Sequence, residues 1–403
     1  MNILMLSSTF PYPATRGGTQ VRTFNLLKYL SQRHTVTLVT QRDNDVMETE
    51  VAGLRDFVDN LVLFNRPADV GTSGRILKKA QRFAQFLANG TPPSVQNRYL
   101  QEMQQWVDDF VEAGKCDVVT CEHSVNEIYI KPHFQQRVKT IVNIHSSVYA
   151  SCRNQLETGI SENKLRDRIN LPLLRRYEQQ YCTKFSDIVV TTEEDKIQLL
   201  KFKPNAEIPV IPNGVDLVSF PYRTSDAGGH RLIFIGAMDN LANIDAVCFF
   251  VNEVFPEIVK RYPDATFDIV GSRPAPEVLA LGNKPGVHVT GRVPSMAEYL
   301  HKSTICVVTM RTGFGIKNKT LEAMAAGVPV VGSDRALEGL AVDVPLRALR
   351  ANQPLEYVTA ICRLFDNPQL RDELSHNARK YVQSQFTWES AGKRYEQVCL
   401  GEK

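Results

Sequence analysis

The sequence predicts a doubly wound α/β protein of two domains, and three observations predict it. The chain has 403 residues, more than one hydrophobic core ordinarily organises. Its amino end runs strand, glycine loop, helix, strand, which is how a parallel sheet with helices on both faces begins. The same succession restarts after a linker-like stretch, Ser225-Asp226-Ala227-Gly228-Gly229-His230, whose residue types favour turns over regular structure.

Residues 2–7 are a short apolar run and read as a first buried strand. A loop holding Pro11, Pro13, Gly17 and Gly18 leads to helical spacing over 21–30, then a second strand at 36–40. Further strands are expected at 61–64, 117–121, 140–144 and 187–191, with long helical stretches at 73–89 and 161–184. After Pro212-Asn213-Gly214-Val215-Asp216, where Asn-Gly favours a turn with positive φ, strands are expected at 231–235, 266–270, 287–290, 305–310 and 328–331. An amphipathic helix over 389–399 closes the chain. The expected domains are 1–207 and 208–385, followed by a terminal helical segment, 386–403.

Composition narrows the function classes. Hydrophobic residues at 43% and charged residues at 23% belong to a globular chain. A net charge of +3 permits attraction to phosphates or an anionic membrane surface without pointing to nucleic acid, and no nucleic-acid module is present. The eight cysteines include no Cys-x-x-Cys pair, and several stand in apolar runs, so buried free thiols in a reducing compartment are expected. No apolar run is long enough to span a bilayer, and the first residues enter a strand directly. The expected location is the cytoplasm, with membrane contact at most peripheral. Residues 73–87 carry an apolar stripe (Ile76, Ala80, Phe83, Leu87) beside Arg75, Lys78, Lys79 and Arg82; such a helix suits either a membrane interface or its own domain's surface.

The segment from Gly313 to Gly327 carries the densest chemistry. Gly313 and Gly315 allow backbone to approach a ligand closely. The helix that follows offers unpaired amides and a positive dipole end, which suit phosphate. Lys317 and Lys319 add charge there, and Glu322, about one and a half turns past Lys317, can accept from both hydroxyls of a ribose. The competing reading is a surface helix with solvated charges.

The run Gly315-Ile316-Lys317-Asn318-Lys319-Thr320-Leu321-Glu322-Ala323-Met324-Ala325 resembles the nucleotide-binding signature of the retaining, GT-B-fold glycosyltransferases of family 4, in particular an exopolysaccharide-associated subgroup. Pro212-Asn213-Gly214-Val215-Asp216 is similar to the family's Pro-Asn-Gly-Val-Asp, which serves here for recognition alone. The resemblance implies two Rossmann-like domains facing each other across a cleft, the first binding acceptor and the second nucleotide-sugar, with the C-terminal helix packing back on the first. It implies transfer of a sugar from a nucleoside diphosphate sugar to an acceptor hydroxyl, on a carbohydrate or lipid-linked acceptor, with no cofactor and no metal.

The same resemblance assigns residues. Arg16, Gly17 and Gly18 correspond to the loop that approaches donor and acceptor. His145, at a strand end, corresponds to the histidine that contacts the donor sugar; Glu122 and His123 end another strand and can line the acceptor side. Gly313, Gly315, Lys317, Lys319, Glu322, Arg273 and Val293 are the expected nucleotide-binding residues, with Lys317 meeting the phosphate charge. Two departures stand out. Many family members place an arginine and a lysine just after the glycine that ends the first strand of the second domain; here Gly236 is followed by Asp239, Asn243 and Asp245. The first acid of the family's Glu-x7-Glu is replaced by Phe314. A non-catalytic nucleotide-sugar-binding partner or sensor, or a sugar-nucleotide epimerase on the same scaffold, remain alternatives. A dinucleotide oxidoreductase does not fit, because the first βα turn lacks Gly-x-Gly-x-x-Gly.

Overall fold

The computed structural model describes residues 1–14, 17–66, 86–87, 90–159, 161, 163–313 and 315–402. The chain divides into two units, Met1–Pro212 with Ala391–Lys403, and Asn213–Ser390.

The first unit is built on β1 (Asn2–Ser7), β2 (Thr35–Arg42), β3 (Asn60–Asn65), β4 (Val118–Glu122), β5 (Lys139–Ile144) and β6 (Asp187–Val190). Their order in the sheet is β3-β2-β1-β4-β5-β6, and every pair is parallel. Leu4, Met5, Leu6, Val119 and Cys121 are all fully buried; strands covered on both faces are apolar without alternation, which is why these runs were readable. The long helix is Lys164–Tyr181, starting where Asn163 caps the Arg166 amide at 3.0 Å.

The second unit holds β7 (Arg231–Ile235), β8 (Thr266–Val270), β9 (Val287–Gly291), β10 (Ile305–Val308), β11 (Val330–Gly332) and β12 (Leu349–Arg350), in the order β12-β11-β10-β7-β8-β9. This repeats the first sheet's winding. In each unit the strand order reverses beside the first strand, between β1 and β4 and between β7 and β10, and ligands of such sheets bind at that point beyond the carboxyl ends. The two-residue β12 is an addition to the sequence reading, too short to leave a periodic pattern.

The units end at 212 and 390, where the sequence reading placed the ends at 207 and 385. Residues 209–211 continue the first sheet: Val190 donates to Pro209 O at 3.1 Å and Ile211 to Val190 O at 2.8 Å. Val215 donates to Phe386 O at 2.8 Å, which ties the start of the second unit to the segment before the last helix. The turn with positive φ expected at Asn213-Gly214 is absent, since Gly214 is not among the positive-φ glycines. Glycine is needed there for space: a Cβ would stand 2.4 Å from the Trp388 nitrogen.

Of the final helix, Trp388–Leu400, residues from Ala391 onward pack in the first unit. Tyr29 lies against Gly392, where a Cβ would come within 2.2 Å of the ring. His34 Nε2 meets Glu396 at 2.8 Å, and Lys139 donates to Val398 O at 2.5 Å. The basic segment 73–87 lies outside the described residues apart from its last two. No helix among the described residues is long and apolar enough to cross a membrane, and all eight cysteines are free.

Candidate active site

In the second unit the polar groups gather where β7, β8 and β10 end. Gly236 follows β7 and Gly271 follows β8, and the two backbones touch so closely that a Cβ on Gly271 would stand 1.6 Å from Gly236 O. After β10 the chain runs through Gly313 at φ 90 and Gly315 at φ 81, left-handed conformations that favour glycine, and enters the helix Asn318–Ala325.

Lys319, in the first turn of that helix, reaches back to the end of β7. Its Nζ donates to Asn243 Oδ1 at 2.5 Å and sits 4.2 Å from the Phe234 ring centroid. A Cβ on Gly236 would stand 3.1 Å from that Nζ, so glycine leaves the ammonium its place. Asn243 is aimed by its own amide, which donates to Ala237 O at 2.7 Å. Burial pulls the Lys319 ammonium down to about 7, since a dry site disfavours charge. Three residues on, on the same helix face, Glu322 is pushed up to about 7 by burial, opposed by the Lys319 charge. The Glu322 carboxylate makes no side-chain hydrogen bond to a described residue.

Lys317 takes a different part from the expected one. It stands at the helix N-cap, and its Nζ donates back to Gly313 O at 3.1 Å and to Gly315 O. Glu338, 5% exposed, lies 3.8 Å away. Its ammonium therefore braces the glycine loop from within, and the ammonium at the strand ends is that of Lys319.

Three of the polar residues after Gly236 each hold a basic side chain from elsewhere in the second unit. Asp239 takes Arg273, with Nε at 2.5 Å and Nη2 at 3.3 Å. Asp245 takes Arg311 through both guanidinium arms. Asn243 takes Lys319. Arg273 is thus neutralised by a carboxylate and exposed, which weakens the expectation that it stacks on a base or binds diphosphate. Lys319 alone of the three is held by an uncharged amide. Val293 is partly buried against the second unit's core. Phe314 lies outside the described residues.

In the first unit, His145 follows β5 and its ring meets that of His123, after β4, at 5.1 Å between centroids. Burial, then the charges of His123 and Arg22, hold the His145 imidazole well below the ordinary histidine range. Its Nε2 is buried with no partner among the described residues. Beneath the strand ends runs a network that sequence reading missed. Arg22, 1% exposed, donates to Asn143 Oδ1 at 3.1 and 2.9 Å; Asn143 donates to Glu122 at 2.8 Å; Tyr395 donates to Glu122 at 2.7 Å. Nothing in a lone sequence marks Arg22 as buried, because its helix otherwise buries Thr23 and apolar residues. Gly17 is extended at φ 174 and caps the helix beginning at Gly18; Arg16 lies outside the described residues.

A family model described as Glycosyltransferase Family 4 matches residues 16–219, and one described as Glycosyl transferases group 1 matches residues 229–367. An uncharacterised 44.6 kDa protein of the cps region of Klebsiella pneumoniae is 21% identical over 402 residues, 95% of this chain and 96% of that protein. The alpha-monoglucosyldiacylglycerol synthase of Acholeplasma laidlawii is 22% identical over 70% of this chain and 72% of its own. Among solved structures, Anabaena HepE in complex with UDP and glucose aligns with TM-score 0.65 at 13% identity over 98% of both chains. S. aureus TarM, in complex with fondaparinux, alpha-GlcNAc-glycerol and UDP, aligns at 0.69 and 14% over 99% of both. These likenesses establish the GT-B type of α/β fold.

Proposed function

The chain belongs to glycosyltransferase family 4, and from that premise we propose that it is a retaining transferase moving a sugar from a nucleoside diphosphate sugar to an acceptor hydroxyl. The observation that carries the reading is the Lys319 ammonium, held by an uncharged amide at the β7–β10 reversal, with the Glu322 carboxylate, which makes no side-chain hydrogen bond to a described residue, on the same helix face. The diphosphate takes its charge partner from Lys319 and from loop and helix amides, and the ribose hydroxyls donate to Glu322.

In the reaction, the bond from the anomeric carbon to the phosphate oxygen breaks and the acceptor oxygen bonds to that carbon from the same face. The departing phosphate takes the acceptor's proton. Lys319 and the amides stabilise the charge that grows on the leaving group, and His145 meets a hydroxyl of the donor sugar. The reading invokes no cofactor. The UDP complexes of HepE and TarM make uridine the first base to test, and the cps-region relative suggests a glycan precursor as acceptor, lipid-linked if residues 73–87 dock at a membrane.

A thermal-shift screen of UDP, GDP, ADP and their sugars, followed by measurement of sugar release or transfer, tests this. A ligand of the native form raises the melting temperature. Stabilisation by one nucleoside diphosphate together with turnover of its sugar is expected. Binding without turnover would leave a sensor or partner subunit, and no binding at all would remove the reading.

A further inference from the structure

β2 and β3 end together, with Arg42 opposite Asn65. The Arg66 amide donates to Arg42 O at 3.0 Å, so Asp43 and Arg66 leave the sheet side by side. Arg66 Nη1 donates to Asp43 Oδ1 at 2.7 Å. Arg98, in the turn ahead of the helix Gln101–Glu112, brings its own Nη1 to 3.8 Å from Asp43 Oδ2. Among the described residues, Asp43 is the one carboxylate paired with either guanidinium. Arg42 stays out of the cluster, turned back on its own loop to Val46 O and Glu48.

Arg98 is fixed by three other segments. Its carbonyl accepts from Gln41 Nε2 at 2.5 Å and from the Tyr129 hydroxyl, two fully buried side chains. Its Nη1 donates to Ser8 O at 3.1 Å, in the loop that follows β1. The Nε and Nη2 groups of both arginines have no acceptor among the described residues. Burial and the charge of Arg66 lower the Arg98 proton affinity, with Asp43 opposing them. Two like charges thus share one carboxylate in a half-dry setting, where repulsion is poorly screened, and a second anion would relieve it. The pair stands on the carboxyl rim of the first sheet, where ligands of such sheets bind, close enough for the Arg98 charge to act on His123 after β4.

We propose that Arg66 and Arg98 form an anion site and that the acceptor carries a phosphate or carboxylate group, which this site binds; the proposal rests on the transfer reaction above and names its acceptor class. Planar guanidinium forks match either oxyanion in a bidentate fashion. A neutral sugar would leave the surplus charge uncompensated. Phosphate and carboxylate present the same chemistry to the pair, and separate probes tell them apart.

The test titrates the whole chain with glucose, glucuronate and glucose 1-phosphate. Each titration is made with the nucleoside diphosphate from the thermal-shift screen already bound, so that the phosphate positions around Lys319 are filled. One anion or both should bind about tenfold or more tighter than glucose. Preference for glucuronate assigns a sugar carboxylate, and preference for glucose 1-phosphate assigns a phosphate. Arg98→Gln and Arg66→Gln, on separate segments, should each lower the ratio of anion to glucose affinity about tenfold. Arg98→Lys keeps the charge without the fork and should fall between wild type and Arg98→Gln. Asp43→Asn removes the competing carboxylate and should raise the ratio. No preference for either anion in wild type, or a preference that survives both Arg66→Gln and Arg98→Gln, would overturn the site. If no nucleoside diphosphate binds, the same titrations run without one: an arginine-dependent preference then keeps the anion site and removes the transfer reading.

Discussion

Replacing Lys319 with methionine should make the protein more stable and worse at binding a nucleoside diphosphate, and the two effects can be sized. Holding this ammonium near 7 instead of its ordinary 10.5 costs the folded state about 4 kcal/mol at pH 7, at about 1.4 kcal/mol per tenfold in proton affinity. Methionine keeps the apolar stem. It removes the Phe234 contact, about 1 kcal/mol, and leaves Asn243 Oδ1 unpaired, about 1 kcal/mol. The expected gain is about 2 kcal/mol at pH 7, read by denaturant unfolding. The sign with pH follows from linkage: the unfolded chain binds more protons at this lysine between pH 7 and 10.5, so wild-type stability rises with pH there and the gap to Lys319→Met closes. Affinity for the diphosphate should fall roughly 10- to 100-fold, the worth of one charge-assisted bond. Titration calorimetry at pH 8 in buffers of different ionisation enthalpy should show wild type taking up close to one proton on binding, and Lys319→Met none. A variant that is less stable at pH 7, or binds as tightly as wild type, would refute the placement of the phosphate charge on this residue.

Glu322→Gln should weaken nucleotide binding about tenfold or more. It should also remove one component of the pH dependence: because Glu322 is raised to about 7 in the fold, its contribution is fully present below the unfolded value and lost as pH rises through 7, so between pH 4 and 8 stability should fall more steeply in wild type than in the variant, where Glu178, likewise raised to about 7 by burial, still contributes. Asn243→Asp puts a carboxylate where an amide now holds Lys319; calorimetry should show weaker diphosphate binding and no proton uptake, while unchanged binding would deny that the uncharged partner matters. Gly271→Ala forces a Cβ to within 1.6 Å of Gly236 O, a backbone clash expected to remove about 3 kcal/mol or more; a melting temperature within a degree of wild type would contradict that geometry.

The sheet cores were legible because both faces are covered, so runs such as Leu4-Met5-Leu6 and Ile305-Cys306-Val307-Val308 stay apolar throughout. β12 was not, because two residues carry no period. Gly313 and Gly315 were legible as loop glycines, and both need positive φ. Gly214 was read as a turn and is instead a close approach, a distinction that depends on Trp388, far away in the chain. The division of labour between Lys317 and Lys319 was equally hidden. Two residues apart on the sequence, they point to different partners once the helix begins at Asn318, and only the fold decides which ammonium meets the strand ends.

The residues after Gly236 first look like a loss, since two acids and an amide occupy a segment where family 4 commonly carries cations. The pairings turn that into an arrangement. Asp239 and Asp245 cancel Arg273 and Arg311, so those guanidinium groups add little net field. Asn243 holds Lys319 in place without cancelling it. Positive charge is thereby concentrated on one nitrogen in a dry setting, where Coulomb attraction is least screened. A buried ammonium near neutrality is poorly solvated by its own protein, and an arriving diphosphate supplies the missing counter-charge. The sign of every effect expected of Lys319, unfavourable to the empty fold and favourable to the loaded one, follows from that single asymmetry among the three pairs.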